Sequence, residues 1–266
     1  MIEPALYPYK LTLVKDNIAP SRYVLDKFGL DNKTCSNHGA GIKIAIIGSG
    51  TPKHKDISLD NISEISMHKS TDIIDHHGYS TMLSGMLIAH SSNIEGFVPL
   101  AEVLFIKAIN DKAKMDSNTL SASILWATIK NADIILLPAL PNYFNDGINN
   151  AIQKAYDMNI CVMGFQPLKL DKIHLMYPRV LFLKPPFRKQ ISRRNISYSK
   201  NTLSIRISSK MLYTTFLEDT YTQPPSYIEG MATLAGLVAL VSPALKKNGQ
   251  RPKQETIVEY ILSSSI

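Results

Sequence analysis

The chain has 266 residues, of which 45% are hydrophobic and 19% are charged, values typical of a folded protein with a sizeable core. The length suits one large α/β domain, and apolar windows such as residues 134–140 are too short to cross a bilayer, so we expect no membrane span. Two cysteines, Cys35 and Cys161, form neither a disulfide framework nor a metal-binding spacing, which favours a reduced, cytoplasmic setting.

Residues 1–40 are predicted to form an N-terminal arm that packs on a single domain of residues 41–266. Within the arm, residues 21–30 favour a short helix with Ser21 as its N-cap and Gly29 near its end. No basic region followed by an apolar stretch opens the sequence, so a secretory signal is not predicted.

The first buried strand is predicted at residues 42–47, a nearly unbroken apolar run closed by the Gly-Ser-Gly sequence at 48–50. Such a run is typical of a strand in a parallel sheet that is buried on both faces. It ends at the carboxyl edge of the sheet, where open α/β sheets place their sites. A dinucleotide-binding turn is not predicted, because Pro52 and His54 follow instead of a third glycine and a helix.

Strands and helices alternate along the rest of the chain, which indicates an α/β fold. Strands are predicted at residues 103–109, 133–137, 160–165 and 202–207, and helices at residues 75–89, 119–130, 146–158, 226–241 and 253–262. For the helix at 119–130 we expect Ser117 or Asn118 as the N-cap. Its buried stripe is predicted to consist of Leu120, Ile124, Leu125 and Ile129.

Four motifs, in order and at similar spacing, resemble those of subtilisin-like serine proteases (subtilases). They are the Ser-Gly turn at 49–50, Gly-x-x-Thr-x-x-Ser-Gly at 78–85, the Gly-x-x-Pro turn at 96–99 and the Met-Ala helix around 231. The resemblance spans about residues 20–262 and implies a subtilisin-like three-layer α/β/α sandwich with a mostly parallel sheet. Nothing in residues 1–40 resembles the long pro-segment of extracellular subtilases, so we expect a complete chain made without one.

The same resemblance implies that the catalytic residues are missing. Gly48 occupies the position of the catalytic Asp, Tyr79 that of the His, and Ile228 or, in a second register, Gly230 that of the Ser. Leu168 stands at the position of the Asn that stabilises the oxyanion. These residues supply neither a nucleophile nor a base with its orienting group. We therefore expect a pseudoprotease, not an enzyme.

In subtilases two chain segments bind an extended peptide by β-pairing, and the resemblance locates both of them here. One wall comprises Lys114, Met115, Asp116 and Ser117, and ends at Asn118. The other comprises Pro138, Ala139 and Leu140, followed by Pro141. Proline has no N–H to donate, so we expect weaker pairing on the second wall.

The net charge of +7 is unevenly spread: residues 172–217 contain ten basic and no acidic residues. This stretch predicts a surface for an acidic peptide or protein partner, although a solvated basic flank is the alternative. The densest part holds the candidate binding residues Arg188, Lys189, Arg193 and Arg194. Nucleic acid is not predicted as a partner, because aromatics are few and no binding motif accompanies the charge.

Three functions remain open on the sequence. The first is a catalytically inactive peptide- or protein-binding subunit that pairs with an active protease or modifying enzyme. The second is a serine hydrolase with a rebuilt site, which would require convergence of Asp75, His76, His77 and Ser226. The third is a structural subunit of a complex, which exposed apolar side chains at Tyr143-Phe144 or Phe187 would favour. No cofactor or metal is expected, since no calcium loop is recognisable.

Overall fold

A computed structural model describes residues 2, 28, 30, 36–68, 72–166, 172–184, 196–199, 201–205 and 212–264. Its strands are β1 (Lys43–Gly48), β2 (Ile62–Ser66), β3 (Glu102–Lys107), β4 (Ile134–Leu136), β5 (Cys161–Phe165), β6 (Leu181–Lys184), β7 (Ile196–Ser199), β8 (Thr202–Ile205), β9 (Thr214–Thr215) and β10 (Tyr221–Thr222). Its helices are α1 (Tyr79–Ile88), α2 (Ser117–Ile129), α3 (Asp146–Asp157), α4 (Ile173–Met176), α5 (Ser226–Leu245) and α6 (Gln254–Ser264).

The main sheet has the strand order β2-β3-β1-β4-β5-β6-β8-β7. Every neighbouring pair in it is parallel except β7 and β8, which are antiparallel. β9 and β10 form a separate small antiparallel pair. Because β1 lies between β3 and β4, the carboxyl ends of these three strands meet at the edge where the sequence predicts the site.

Two apolar cores lie on opposite faces of this sheet. In β1, Ile44 and Ile46 belong to one core, and Ala45 and Ile47 belong to the other. The first core also contains residues of α1, α5 and α6, and the second contains residues of α2 and α3. The predicted three-layer α/β/α sandwich with a mostly parallel sheet is therefore confirmed.

Helix α5 passes through the first core. By length and composition it could cross a membrane, and it is the one such helix among the described residues. The expectation that no apolar stretch is long enough was therefore wrong on length. However, 78% of its apolar window is buried inside the fold, as in the core helix of a folded domain.

Helix α2 differs from its prediction at both ends. Its N-cap is Asp116, whose carboxylate accepts hydrogen bonds from the Thr119 N–H and hydroxyl, each at 2.8 Å, so the prediction of Ser117 or Asn118 was wrong. These hydrogen bonds, the backbone one first, lower the pKa of Asp116. At the other end, Ile129 is 75% exposed and so does not belong to the predicted buried stripe, although Ala127 and Thr128 of the same turn are buried.

The N-terminal arm lies mostly outside the described residues, and so does Cys35 within it. Phe28 and Leu30 pack against the first core, but the predicted helix at 21–30 is otherwise not described. The division at residue 40 stays a prediction. Cys161 is a free thiol, and burial raises its pKa to about 12.

The cap of α2 can be tested by substitution. Asp116→Ala should lower the free energy of unfolding by about 1 kcal/mol, because two N-terminal donors lose their acceptor. Asp116→Asn should retain most of the stability, and Asn118→Ala, the matched control at the position favoured by the sequence, should change little. Chemical denaturation checks all three, and an Asn118→Ala cost as large as that of Asp116→Ala would contradict the assignment.

Candidate functional site

The end of β1 is tied directly to the start of α1. The Ser49 N–H donates to Ser80 Oγ at 3.0 Å, and the Ser80 N–H donates to Ser49 Oγ at 3.2 Å. Both serines are fully buried. This reciprocal pair holds the first turn of α1 against the carboxyl end of β1.

The close approach leaves no room for a side chain at Gly48. A Cβ atom there would lie 2.4 Å from Ser80 Oγ and 3.0 Å from Tyr79 Cδ1. The first distance is far inside van der Waals contact, so an aspartate at this position requires Ser80 Oγ to shift, which would disturb its hydrogen bond with the Ser49 N–H. The ring of Tyr79, which the resemblance assigns to the position of the catalytic His, lies beside Gly48 and is buried in the first core.

The candidate nucleophile positions at the start of α5 are also buried. Ile228 belongs to the first core together with Tyr79, and Gly230 is buried as well. The ring of Tyr227 lies 5.3 Å from the ring of Phe165 at the end of β5, so the first turn of α5 packs on the sheet edge. In either register the position expected for a nucleophile lies inside the core.

The oxyanion position Leu168 lies outside the described residues. Gln166, two residues earlier, is buried and engaged with the neighbouring strands. Its N–H donates to the Leu183 carbonyl at 2.8 Å, and its Oε1 accepts from the Thr202 hydroxyl at 3.3 Å. The Gln166 side chain is thus held toward β8.

Asp75 of the rebuilt-site hypothesis lies three residues before Gly78, the N-cap of α1, and accepts hydrogen bonds from donors at the start of this helix. One carboxylate oxygen accepts from the N–H groups of His77 and Gly78, both at 2.9 Å. The other accepts from the N–H and the hydroxyl of Thr81, both at 2.8 Å. Asp75 is buried and both of its oxygens are occupied, so it is explained as a helix cap.

The two histidines beside Asp75 have local partners of their own. His76 Nε2 lies 2.5 Å from Asp72 Oδ2 on the exposed surface, and this bond is the first cause of the lowered pKa of Asp72. His77 Nε2 lies 3.1 Å from the Asn110 carbonyl oxygen. Ser226 is the exposed first residue of α5, whose N-cap is Pro225. Among the described contacts, none joins Ser226 to Asp75 or to either histidine.

His54 and Asp56, which follow the Ser-Gly turn at the end of β1, anchor the β9–β10 hairpin. Tyr221 donates its hydroxyl hydrogen to Asp56 Oδ2, and His54 Nε2 lies 3.0 Å from the Thr220 carbonyl oxygen. Burial lowers the pKa of His54 and raises that of Tyr221 to about 12, with the Asp56 bond as its second cause. A neutral His54 therefore donates to Thr220, and this network serves the fold.

The residues of the first predicted wall of the peptide site form hydrogen bonds with other parts of the same chain. Lys114 exchanges hydrogen bonds with Asn110, through its N–H to the side chain at 3.0 Å and through its carbonyl to the backbone N–H at 2.9 Å. Met115 pairs with Ile2 as an antiparallel bridge. Asp116 caps α2, and Ser117 Oγ lies 3.1 Å from the Tyr143 hydroxyl oxygen.

The second wall is compact. Pro138, Leu140 and Pro141 are buried, and Ala139 is half-buried and packs against the second core. The prediction that the two walls bind a peptide stays a prediction. The candidate residues Arg188, Lys189, Arg193 and Arg194 lie outside the described residues, so their role also stays a prediction.

Sequence reasoning missed Glu229, which lies between the two candidate nucleophile positions. Its Oε1 is enclosed and has no hydrogen-bond partner, a state shared in the described part of the chain only with His174 Nδ1 and Thr222 Oγ1. Desolvation by burial raises the pKa of Glu229 to about 7. One sequence feature could have pointed to Glu229: it is the one charged residue in the 20-residue helix α5.

A cavity of about 500 Å³ opens at the opposite, amino edge of the sheet. Charged groups that line it are paired: Lys43 Nζ lies 3.0 Å from Glu102 Oε1, and Asp133 Oδ1 lies 2.7 Å from Arg251 Nε. The Asp133 carboxylate also accepts from the Lys43 N–H at 2.8 Å. These contacts stabilise the amino edge and leave these groups satisfied. Among the described residues, no cluster of His, Cys, Asp or Glu could hold a metal ion.

Comparison with known proteins gives a limited similarity. No family model matches the chain. Over 129 residues, or 47% of the chain, it is 27% identical to the minor extracellular protease Epr of Bacillus subtilis (strain 168). The matched part covers 20% of that protein, so the chain corresponds to about a fifth of its relative's length. With the α/β/α sandwich, this similarity indicates a distant subtilisin-like relationship.

The packing at Gly48 predicts the cost of any side chain there. Gly48→Ala should lower the free energy of unfolding by about 1–3 kcal/mol, because the added methyl group overpacks the junction with Ser80. Gly147→Ala in α3 is the matched control, since a Cβ there meets only Asn145 Oδ1 at 3.4 Å and Ser121 Oγ at 3.8 Å. The control should be neutral or stabilising by about 0.5–1 kcal/mol. Denaturation curves showing equal effects would refute the tight junction.

The raised pKa of Glu229 predicts a pH-dependent stability. Between about pH 4.5 and pH 7 the unfolded chain has released a proton that the folded chain still holds, so stability falls as pH rises through this window. Glu229→Gln should match the wild type at pH 4 and exceed its unfolding free energy at pH 8 by about 2–3 kcal/mol. The exposed Glu259→Gln should show no such divergence. If the unfolding free energies of Glu229→Gln and the wild type change in parallel with pH, the raised pKa of Glu229 is contradicted.

Proposed function

We propose that this protein is a catalytically inactive subtilisin-like protein that acts as a peptide- or protein-binding subunit beside an active protease or modifying enzyme in the cytoplasm. The observation that carries the proposal is the lack of space at Gly48, where a Cβ would lie 2.4 Å from Ser80 Oγ. Buried Tyr79 and Ile228 occupy the other two triad positions. Three residues that would have to cooperate in acyl transfer are thus replaced by core packing.

The chemistry of these side chains supports the same proposal. Acyl transfer by a serine hydrolase needs a nucleophile, a base within hydrogen-bond reach and a group that orients the base. Glycine and isoleucine offer no such group, and a phenol with an ordinary pKa of about 10 is a poor general base at neutral pH. The similar Bacillus protein is named a protease, so an enzyme with a rebuilt site is the alternative. The local partners of Asp75, His76 and His77 weigh against it.

A fluorophosphonate probe tests the absence of catalysis, because it modifies activated serine nucleophiles. We expect no labelling of the folded chain at neutral pH, while an active serine protease added to the same sample is labelled. Ser226→Ala should leave the result unchanged. Stoichiometric labelling of the wild type that Ser226→Ala abolishes would overturn the proposal in favour of a rebuilt site.

Binding through the basic stretch is tested with a fluorescent oligoglutamate peptide and a neutral Gly-Ser peptide of equal length. An Arg193→Glu/Arg194→Glu variant should bind the acidic peptide at least about tenfold more weakly than the wild type, with loss of salt dependence. The control is Lys246→Glu/Lys247→Glu, which reverses two exposed charges elsewhere with the same change in net charge. If both variants bind the acidic peptide equally weakly, binding depends on the net charge of the protein and not on the basic stretch.

Exposed aromatics support the structural-subunit alternative. Tyr143 is 47% and Phe144 is 50% exposed, and the Phe144 ring stacks on Tyr177 at a centroid distance of 6.1 Å. Aromatic side chains presented in this way are enriched at protein interfaces. Tyr143→Ser/Phe144→Ser should release the chain from a native complex without altering oligoglutamate binding, whereas Leu59→Ser, which also removes an exposed apolar side chain, should not. Sedimentation of native extracts separates these outcomes.

A further inference from the structure

Three consecutive residues of the loop after β1 contact three consecutive residues of the hairpin formed by β9 and β10. These tip contacts join His54 to Thr220, Lys55 to Asp219, and Asp56 to Tyr221. Each strand of the hairpin has only two residues, and an isolated two-stranded hairpin is at best marginally stable in water. The tip contacts therefore help to hold the hairpin on the protein.

The backbone at the tip of the hairpin is itself unfavourable. Glu218 and Asp219 have φ angles of 56° and 55°, in the left-handed region, which costs about 1–2 kcal/mol for a residue with a Cβ. The Lys55 N–H donates to Asp219 Oδ1 at 2.7 Å. The Phe216 N–H closes the turn by donating to the Thr220 carbonyl at 2.7 Å. Contacts with the loop after β1 thus offset strain in this turn.

The hydrogen bonds of His54 require a neutral ring. The side chain is fully buried, and its Nδ1 accepts from the Asp56 N–H at 3.2 Å, so the proton of the ring lies on Nε2 and is donated to Thr220. A second proton, on Nδ1, would face the Asp56 N–H. Asp56 Oδ2 lies 3.7 Å from Nδ1 and already accepts from the Tyr221 hydroxyl. Protonation of His54 therefore conflicts with the tip contacts.

Burial is the main influence on the charge of His54, and it lowers the pKa of this ring below the ordinary value of 6.5. The groups that act in the opposite direction are the Thr220 carbonyl and the carboxylates of Asp56 and Asp219. Lys55 adds to the lowering, and His90, from the segment after α1, contacts Asp56 through its backbone N–H. A released ring binds a proton more readily than the buried one, so the tip contacts are fully stable above pH 6.5 and weaken as the pH falls below it.

The hairpin covers the start of α1. The hydroxyls of Thr214 and Thr215 each donate to a carbonyl oxygen in the first turn of this helix at 2.7 Å. The ring of Phe216 lies against Gly78, where a Cβ atom would be 2.1 Å from Phe216 Cε2. Gly78 is the N-cap of α1 and precedes Tyr79, the residue at the predicted histidine position. Movement of the hairpin tip would therefore uncover this end of the helix.

We infer that His54 makes the β9–β10 hairpin a proton-sensitive cover of the start of α1. When Nδ1 of His54 takes up a proton from solvent, the tip contacts break and the ring of Phe216 leaves Gly78. Proton uptake is the only chemical change, and loss of the proton restores the contacts. The inference is independent of the proposed binding function, because it concerns the position of the hairpin and no ligand.

Hydrogen exchange at the Lys55 amide tests the tip contacts directly, since this N–H donates to Asp219 Oδ1. The full-length chain is labelled with ¹⁵N-lysine, and each exchange rate is corrected for the intrinsic rate at the same pH. The protection factor of Lys55 should fall at least about threefold between about pH 7.5 and about pH 5. The amide of Lys154, inside α3, should keep its protection factor and so report that the domain stays folded.

Three variants assign the proton to one side chain. His54→Gln keeps an Nε2 donor for Thr220 but does not titrate, so the protection factor of Lys55 should no longer depend on pH in this range. His90→Gln removes another imidazole beside Asp56, and Asp219→Asn removes a titrating carboxylate while keeping Oδ1 as an acceptor. Both of these controls should show the pH dependence of the wild type.

A second measurement on the wild type needs no variant at His54. The ring current of Phe216 should displace an α-proton resonance of Gly78, and Phe216→Leu identifies this displacement by removing it. In the wild type the displacement should diminish as the pH falls, with the same midpoint as protonation of the His54 ring followed by NMR. At about pH 7.5 the ring should carry its proton on Nε2.

Each outcome supports or overturns the inference. A Lys55 protection factor that is constant with pH overturns it, as does a fall that persists in His54→Gln or disappears in either control. An unchanged Gly78 resonance after His54 is protonated overturns the uncovering of α1. A fall that only His54→Gln abolishes, together with the shift at Gly78, supports the inference. Oligoglutamate binding and probe labelling decide the proposed function separately.

Discussion

The contact between the end of β1 and the start of α1 governs what the carboxyl edge of the sheet can hold. The reciprocal Ser49–Ser80 hydrogen bonds bring α1 so close that Gly48 cannot carry a side chain. Any residue that restored an acid at this position would have to displace Ser80 Oγ, which accepts one of these hydrogen bonds, and would press against the ring of Tyr79. Glycine at position 48 and the close approach of α1 to the end of β1 therefore depend on each other, and core packing stabilises this arrangement.

Polar residues near this edge mostly stabilise the fold. Asp75 satisfies donors at the start of α1, Asp116 does so for α2, and His54 ties a hairpin to the loop after β1. Buried polar groups generally find such partners, because an unmet hydrogen bond costs more than a met one contributes. Glu229 departs from this rule, since it holds an unpaired oxygen between the two candidate nucleophile positions. Glu229 Oε1 is thus enclosed without a hydrogen-bond donor among the described residues.

The peptide-binding proposal depends on residues around the carboxyl edge of the sheet, because the predicted triad positions are occupied by buried residues. Met115 retains β-pairing geometry and uses it with Ile2, while Tyr143 and Phe144 present aromatic surface beside the same loop through the Ser117–Tyr143 hydrogen bond. Under the proposed function, a subtilisin-like scaffold keeps means of recognition although the residues at its predicted triad positions are buried in the core. Recognition and catalysis are separable here because pairing uses backbone groups, whereas acyl transfer needs particular side chains.

The sequence by itself determined the layers of the fold. A strand buried on both faces must be apolar at nearly every position, and β1 is recognisable for that reason. The order of the motifs predicts which residues stand at the triad positions, with Ile228 and Gly230 both open for the serine, but it does not predict that Tyr79 and Ser80 lie against Gly48. Tertiary structure decided which side chain caps α2, how the burial of Glu229 shifts its pKa, and that Ile2 pairs with Met115. The cap depends on the backbone conformation of residues 116–119, whereas the burial of Glu229 and the Ile2–Met115 pair depend on tertiary packing. Local periodicity carries no information about either.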